Sequence, residues 1–590
     1  MKIELVSIHI ERSPKAMPLA AAMLKAKLDS LNGPENRVTV SMCDFYTDDD
    51  AEHIASSVLA KKPDMAGFSV YLWNRELSLQ VASIIKKKAP GIIVCLGGPE
   101  AGEMPEKLLN AGVFDLAVTG EGEIAFAKAV YGILNGDAVP ENRIFNVPVN
   151  DLNDLPSPFL SGTVDLSKYE GVLWELSRGC PFKCDFCFES RGLSGVRRFS
   201  LDRIEAELRL FEEKKVTQVF VLDPTFNQDR ERAKNILRLI RKIAPSIHFT
   251  FEVRTEFLDE EMAELFASVN CGLQIGLQSS DSSVLKCVNR SFDPVKFREK
   301  INILNRKNAV FGLDLIYGLP CDTLAGFRKS IDFAVSLQPN NLDIFPLAVL
   351  PGTVLHDKAD SFGLDFANNA PYTVRSTPQF PAEDMKKAQL LSKSCDIFYN
   401  RGRAVGWLFM VLETLNMRPS EFFEKFAERE VDGDICKAQC SIVKDMFEKA
   451  GKRNLSTAMT DIIRYNDCLN KSLESGFSGK IDGKVSLHKV YRLSPSVNFL
   501  TLSYDHDELL MIGEINLIDF VKRFKPYRTE VITYNDNGNS VSMPLDTVWI
   551  KLLRSLDGKR TLDQTIKSAN INRSEAIEFI EFCAESGILL

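Results

Sequence analysis

Two successive trains of short apolar runs, each separated by amphipathic stretches, constrain the fold more than any other feature of the chain. In the first, strand-like runs at Ile3–Ile10, Val38–Met42, Met65–Val70, Ile92–Leu96 and Leu116–Val118 alternate with helical patterns at Pro18–Leu31, Ala51–Leu59, Leu77–Lys88, Pro105–Asn110 and Glu123–Leu134. Strands alternating with helices predict a parallel sheet covered on both faces. In the second train the runs are Val172–Leu176, Gln218–Leu222, Thr250–Val253, Gly272–Gly276, Gly312–Tyr317 and Asp343–Ala348. Helical patterns such as Leu201–Lys214, Ala233–Ile243, Glu260–Ser268, Pro294–Asn305 and Thr323–Ser336 separate them. Six such units predict a partial (β/α)6 barrel, with its chemistry at the carboxyl ends of the strands. Residues 136–170 hold Pro140, Pro148, Pro156 and Pro158 among Asn, Asp and Ser and read as a linker. The expected class is α/β. A doubly wound domain spans 1–140, a linker 141–165, a partial barrel 166–375, a helical region 376–480 and a small α+β unit 481–590.

Within this frame, Cys180-Pro181-Phe182-Lys183-Cys184-Asp185-Phe186-Cys187 puts three thiols in one short loop just after the first strand of the second train. Three thiolates can hold three irons of a [4Fe–4S] cube and leave the fourth iron open. The other reading of three thiols is a structural zinc loop or buried cysteines. Zinc wants a fourth ligand, and the next Cys and His are the distant Cys271 and His248.

A chain of 590 residues is too long for one core. Its formal net charge of −8 gives no basic field, so nucleic acid is not an expected partner. No apolar run approaches the roughly 18 residues of a membrane span. Met1-Lys2-Ile3-Glu4 opens directly as a strand, with no secretory signal. The 13 cysteines show no disulfide rhythm and read as reduced thiols in a cytoplasm.

The cysteine loop, with the aromatic Phe186 before its last Cys, resembles the signature of the radical S-adenosylmethionine (radical SAM) enzymes. The resemblance implies a [4Fe–4S] cluster on Cys180, Cys184 and Cys187, with SAM chelated to the open iron and cleaved to methionine and a 5′-deoxyadenosyl radical. It also implies an electron donor such as flavodoxin or ferredoxin. The strand ends resemble the family's motifs in order. Asp223-Pro224-Thr225-Phe226-Asn227 follows the second strand, and Glu252-Val253-Arg254 ends the third. Gly276-Leu277-Gln278-Ser279 ends the fourth, Ile316-Tyr317-Gly318-Leu319-Pro320 the fifth and Leu350-Pro351-Gly352-Thr353 the sixth. The implied SAM contacts are Phe186, Asp223, Thr225, Glu252, Arg254, Gln278, Ile316 and Gly318. Read by themselves, Glu252, Arg254 and Gln278 also fit as polar caps of the core. Arg198 and Ser200 match a recurring position. Cys321 stands where relatives often carry Gly and reads as a thiol without a role, a radical quencher being the other reading, while Cys271 and Cys287 read as small apolar residues.

The first train ends its strands in Ser69-Val70-Tyr71-Leu72-Trp73-Asn74, Gly97-Gly98-Pro99-Glu100-Ala101-Gly102 and Thr119-Gly120-Glu121-Gly122-Glu123. Gly97-Gly98-Pro99 followed by Gly120-Glu121-Gly122-Glu123 resembles the cobalamin-binding domain of B12-dependent radical SAM enzymes. The implied corrinoid contacts are Ser69, Tyr71, Trp73, Asn74, Gly97, Gly98, Pro99, Glu100, Gly120, Glu121 and Gly122. The D-x-H-x-x-G motif that gives B12-dependent mutases a histidine on cobalt is absent. The other reading is a sheet of the same ancestry that has lost its cofactor.

The resemblance implies a methyltransferase at an unactivated carbon of a small-molecule or peptide substrate. Two other functions stay open: cyclisation, rearrangement or carbon–carbon coupling without methyl transfer, and a non-catalytic iron–sulfur binding or assembly protein. In the tail, β-type runs are expected at Val485–Leu493, Phe499–Tyr504, Leu509–Ile512 and Thr529–Tyr534. A turn is expected at Asp557-Gly558, with helices at Leu562–Ala569 and Arg573–Glu585. This end resembles a small winged-helix unit, although Glu575, Glu578, Glu581 and Glu585 make its last helix acidic. Cys436-x3-Cys440, with Cys468, hints at a second cluster that lacks a fourth ligand.

Overall fold

The computed structural model describes residues 1–590 apart from 14–15, 34, 104, 111, 191–194, 428–430, 432, 478 and 482–484. The chain forms two compact units, 1–389 and 390–590.

The first unit holds both expected sheets. Strands β1 (Lys2–His9), β2 (Thr39–Tyr46), β3 (Met65–Ser69), β4 (Ile93–Gly97), β5 (Leu116–Val118) and β6 (Ile144–Phe145) form a parallel sheet in the order β2-β1-β3-β4-β5-β6. In β1, six consecutive residues are buried, as a strand covered on both faces requires. Two features depart from the sequence pattern. The Pro-rich linker contributes β6, and Pro99–Glu103 closes into a helical turn instead of a loop. Because β2 lies on one side of β1 and β3 on the other, the strand order switches direction between β1 and β3. That crevice is where sheets of this order bind ligands.

The second sheet has six parallel strands in sequential order: Gly171–Trp174, Gln218–Val221, His248–Val253, Cys271–Gln278, Phe311–Tyr317 and Asn341–Pro346. Phe249, Phe251 and Val253 on the third strand, and Leu313, Leu315 and Tyr317 on the fifth, are buried. Glu252 and Asp314 alternate with them and take the opposite, interior face. The helices start where capping side chains stand. Ser200, Asp229, Asp259 and Thr323 each accept from the backbone N–H three residues on.

The second unit packs Phe398, Trp407, Phe422, Phe423 and Phe426 in one aromatic cluster. Beyond it lies a three-stranded antiparallel sheet, Asn498–Leu502, Thr529–Asp536 and Asn539–Pro544. Three expectations fail here. Leu509–Ile512 is not a strand, because Asp505 caps Asp507 and Glu508 and starts the helix His506–Leu510. Of Val485–Leu493, only Val490–Arg492 is a strand. Its partner is Asp557–Thr561, so the expected turn at Asp557-Gly558 opens a strand instead.

The thirteen cysteines are not all reduced thiols. Cys287 and Cys321 form a disulfide, so Cys287 is not the separate small apolar residue, nor Cys321 the idle thiol, that the sequence implied. Cys436 and Cys440 touch on one helix, and Asp467 and Lys471 interact with them from the next. Among the described residues no group of three metal-binding side chains is drawn together there or elsewhere. No described helix is long and apolar enough to cross a membrane.

Candidate active site

The cysteine loop is closed at its feet by two short strands, Ser177–Arg178 and Arg197–Arg198, paired antiparallel. Gly179 has a φ of +98°, and a Cβ there would lie 2.5 Å from the Gly195 carbonyl oxygen, so only glycine permits this closure. The loop is tied down at four further points. Asp223, only 4% exposed, accepts from the Leu176 and Ser177 N–H groups at 2.8 and 3.0 Å and from the Ser177 hydroxyl. The Asp185 N–H donates to the Val288 carbonyl at 3.0 Å. The Asp185 carboxylate meets Lys358 Nζ at 2.8 Å. Asn289 Nδ2 donates to the Lys183 carbonyl.

The thiols sit in a half-buried basic setting. Arg290 Nη1 lies 3.9 Å from Cys184 Sγ, and the Arg254 guanidinium stacks 3.6 Å over the Phe182 ring. Burial pushes the Cys187 thiol up to about 11, and it raises Cys180 against the Phe182 N–H and the Thr225 hydroxyl. Thiols so placed deprotonate on meeting a metal. The three sulfurs are not drawn into one metal-holding group in this structure; as a ligand set, three thiols in one loop beside the Arg254 and Arg290 guanidinium groups suit a cube with one open iron.

The expected SAM contacts fall around this loop in different ways. Phe186 is half-buried within it. Thr225 touches Cys180. Arg254 is locked by Asn227, which accepts its N–H and donates to its carbonyl, and it pairs with Glu256 at 2.5 Å. Glu252, on the barrel interior, is raised by burial and then by the charge of Glu189. Asp314 beside it is pushed up to about 7 by burial, with Asp343 and Glu252 adding to it. Gln278 ends its strand at φ +66° with its side-chain oxygen buried and unbonded. Ile316 takes the interior face, and Gly318 adopts φ +83°. Asp223 is different: its carboxylate is engaged by the foot of the cysteine loop. Arg198 pairs with Asp229 at 3.5 Å.

The corrinoid expectations divide similarly. At the β1/β3 crevice Tyr71 and Trp73 stack, with ring centroids 4.4 Å apart and planes 6° from parallel. Trp73 Nε1 and Asn74 Nδ2 both donate to the Ile8 carbonyl, and Asn74 Nδ2 also donates to that of Ser69. Trp73 is nevertheless 41% exposed. With the exposed Leu72, Gly98, Pro99 and Gly120 it leaves an open apolar cradle over the strand ends. Gly98 is required there, since a Cβ at its φ of +96° would meet the Val70 oxygen at 2.6 Å. The half-buried Gly97 ends β4, and Gly122 opens the helix Gly122–Asn135. Such a cradle of backbone and aromatic rings fits a large flat cofactor. His9, at the end of β1, is held by Asp44 at 2.9 Å.

Two of the acidic residues expected at the corrinoid are engaged elsewhere. Glu100 is buried between Arg75 Nε at 3.3 Å and the Tyr372 hydroxyl at 2.7 Å. Glu121 pairs with Arg197 at 2.7 Å and Arg178 at 3.2 Å, across to the cysteine loop. These contacts join the strand ends of one sheet to those of the other. Arg290, Tyr372 and Lys358 carry no local signal in the sequence, because each acts from far along the chain.

Comparison with known proteins matches residues 10–130 to the B12 binding domain and residues 174–334 to the Radical SAM superfamily. The chain is 27% identical to the cobalamin-dependent radical SAM methyltransferase TokK of Streptomyces tokunonensis, over 55% of this chain and 53% of that protein. It is 26% identical to the 2-(S-pantetheinyl)-carbapenam-3-carboxylate methyltransferase of Streptantibioticus cattleyicolor, over 51% and 50%. The chain thus spans about half the length of these curated relatives. Its fold is similar to that of the cobalamin-dependent SAM radical enzyme OxsB solved with aqua-cobalamin, with a TM-score of 0.54 and 16% identity over 82% of each chain. Residues 10–130 and 174–334 thus resemble the B12 binding and radical SAM domains, and these two matches imply a [4Fe–4S] cluster with SAM, and cobalamin.

Proposed function

We propose that the chain is a cobalamin-dependent methyltransferase acting on an unactivated carbon of a small molecule or peptide. One observation carries this reading: Glu121 and Glu123 reach Arg178 beside the cysteine loop, and Glu100 reaches Tyr372 behind the barrel mouth. The open cradle at Trp73 and the thiols at Cys180–Cys187 therefore belong to one region, as methyl transfer to a radical centre needs. When bound, the cluster and SAM supply a 5′-deoxyadenosyl radical, and the corrinoid supplies the methyl group.

The chain's own residues bind and orient. Cys180, Cys184 and Cys187 hold the cluster. Thr225, Arg254 and Gln278 would contact SAM, and Tyr71 and Trp73 would wall the corrinoid. Glu252 and Asp314, on the interior face of the barrel strands and both raised by burial, would line the substrate side of the site. An electron enters from a flavodoxin or ferredoxin in the cytoplasm. In this proposal the corrinoid lies on 1–140 and the radical chemistry on 166–375.

The similarity to two methyltransferases supports methyl transfer over cyclisation or coupling. Product mass tests it. Anaerobic turnover should add one methylene per substrate and release both 5′-deoxyadenosine and S-adenosylhomocysteine. A product of unchanged carbon count would favour ring closure, and no 5′-deoxyadenosine from a cluster-loaded protein would favour an assembly role.

A further inference from the structure

We infer that Arg178 and Glu123 are positioning residues that set the distance between the corrinoid and the cluster; the inference rests on the function proposed above. Arg178 stands two residues before Cys180, at the foot of the cysteine loop. Its guanidinium is 15% exposed, and all three of its nitrogens are used. Nε and Nη2 meet Glu175 at 2.8 and 2.9 Å, Nη2 and Nη1 meet Glu123 at 2.6 and 3.3 Å, and Nη1 meets Glu121 at 3.2 Å. The opposite foot of the same loop repeats the contact, with Arg197 forking onto both oxygens of Glu121 at 2.8 and 2.7 Å. The Val149 N–H completes the cage on Glu121 at 3.0 Å.

Forked guanidinium–carboxylate pairs fix orientation as well as distance. Two of them, one on each foot, prevent the loop from pivoting about either. Glu121 and Glu123 flank the start of the helix Gly122–Asn135, whose N-terminus favours negative charge. They follow directly on Gly120, part of the open cradle. The line from cradle to loop thus runs through one short segment of backbone and one layer of ion pairs.

The charges are unequal, with three carboxylates on two arginines. Burial would raise Glu121, yet the Arg197 hydrogen bonds, the Val149 N–H and the Arg178 charge leave it below the usual range. Burial raises Glu175, against the attraction of Arg178. Glu121 is therefore the firm anion of the layer. A misplacement of about 1 Å between reacting groups can cost a hundredfold in rate, so a rigid layer here has a functional use that plain packing does not.

The test is Glu123→Gln, on the corrinoid side and away from the thiols, with the milder Arg178→Lys as second variant. Both are prepared anaerobically with full iron and hydroxocobalamin. Two readouts are taken: magnetic coupling between cob(II)alamin and the reduced cluster by pulsed electron paramagnetic resonance, and amide hydrogen exchange over residues 177–190 and 195–198. The expected result is iron and corrinoid contents equal to the parent, a weakened and broadened coupling, and exchange in the loop about tenfold faster. Unchanged coupling and unchanged exchange in both variants would overturn the inference. If Glu123→Gln loses its iron, Arg178→Lys decides. If the parent binds no corrinoid, that result counts against the proposed function, and the exchange measurement still decides whether this layer holds the loop.

Discussion

Replacing Asp223 separates two contributions that the structure superimposes. Its Oδ1 accepts both the Leu176 and Ser177 N–H groups, and its Oδ2 accepts the Ser177 hydroxyl. Asp223→Ala strands two buried N–H donors at about 1–3 kcal/mol each, about 2–6 kcal/mol in all. Asp223→Asn keeps the shared acceptor oxygen, and its amide nitrogen can donate to Ser177. The carboxyl itself is costly. Burial raises its pKa from 3.8 to about 6, despite the Ser177 and backbone hydrogen bonds, and Glu175 adds to the rise. A folded pKa above the unfolded one favours the fold below about pH 4, and that contribution is lost as pH rises through about 6, a change of about 3 kcal/mol. Above pH 6 the native protein therefore carries an unfavourable charge that Asn lacks. Asp223→Asn should keep its iron and slow local exchange at Leu176 and Ser177 at pH 8 relative to the parent, with little difference near pH 4. Asp223→Ala should lose most of its iron and all protection at those amides. Full iron loading with protected amides in Asp223→Ala would refute this account. So would an Asn variant that is no better protected than the parent at pH 8.

Three further outcomes follow from the site. Reconstituted protein should hold about four irons, and Cys184→Ala should lose them, as measured by iron content and SAM cleavage. Trp73→Ala should weaken corrinoid retention with iron unchanged; cob(II)alamin in the parent should show no protein-nitrogen splitting, and His9→Ala should not alter its spectrum. Arg290→Met removes a hydrogen-bonded positive charge beside Cys184, so the cluster's midpoint potential should fall while iron content holds; an unchanged potential with weaker SAM binding would assign Arg290 to SAM instead.

Both parallel sheets were legible because their central strands are buried by their own sequence, as the apolar runs at Ile3–Ile10 and Gly312–Tyr317 announce. The cysteine loop was legible as a loop, since its three thiols lie within eight residues of sequence. Leu509–Ile512 misled because four apolar residues carry no period, and a cap at Asp505 decided the matter. Glu100, Glu121 and Asp223 were read as cofactor contacts from the loops they sit in. Their carboxylates instead meet Tyr372, Arg178 and Ser177, partners 272, 57 and 46 residues away. Such pairings leave no mark on local pattern. Arg178 was visible only as a flank of Cys180, and nothing in the sequence shows which charges it meets.

The anchoring of the cysteine loop also bears on when it can form. Its contact from Arg178 to Glu123 spans 55 residues, that from Lys183 to Asn289 spans 106, and that from Asp185 to Lys358 spans 173. Closing the longest of these rather than the shortest costs about 1 kcal/mol more chain entropy. More important, the last partner lies beyond the sixth barrel strand, so the loop gains its full set of restraints only when the final strand has docked. High contact order makes that docking slow. A scaffold that delivers iron and sulfide therefore meets ordered thiols late, after the barrel has closed, and a chain truncated before Lys358 would present the same three cysteines on a loop that lacks this last restraint.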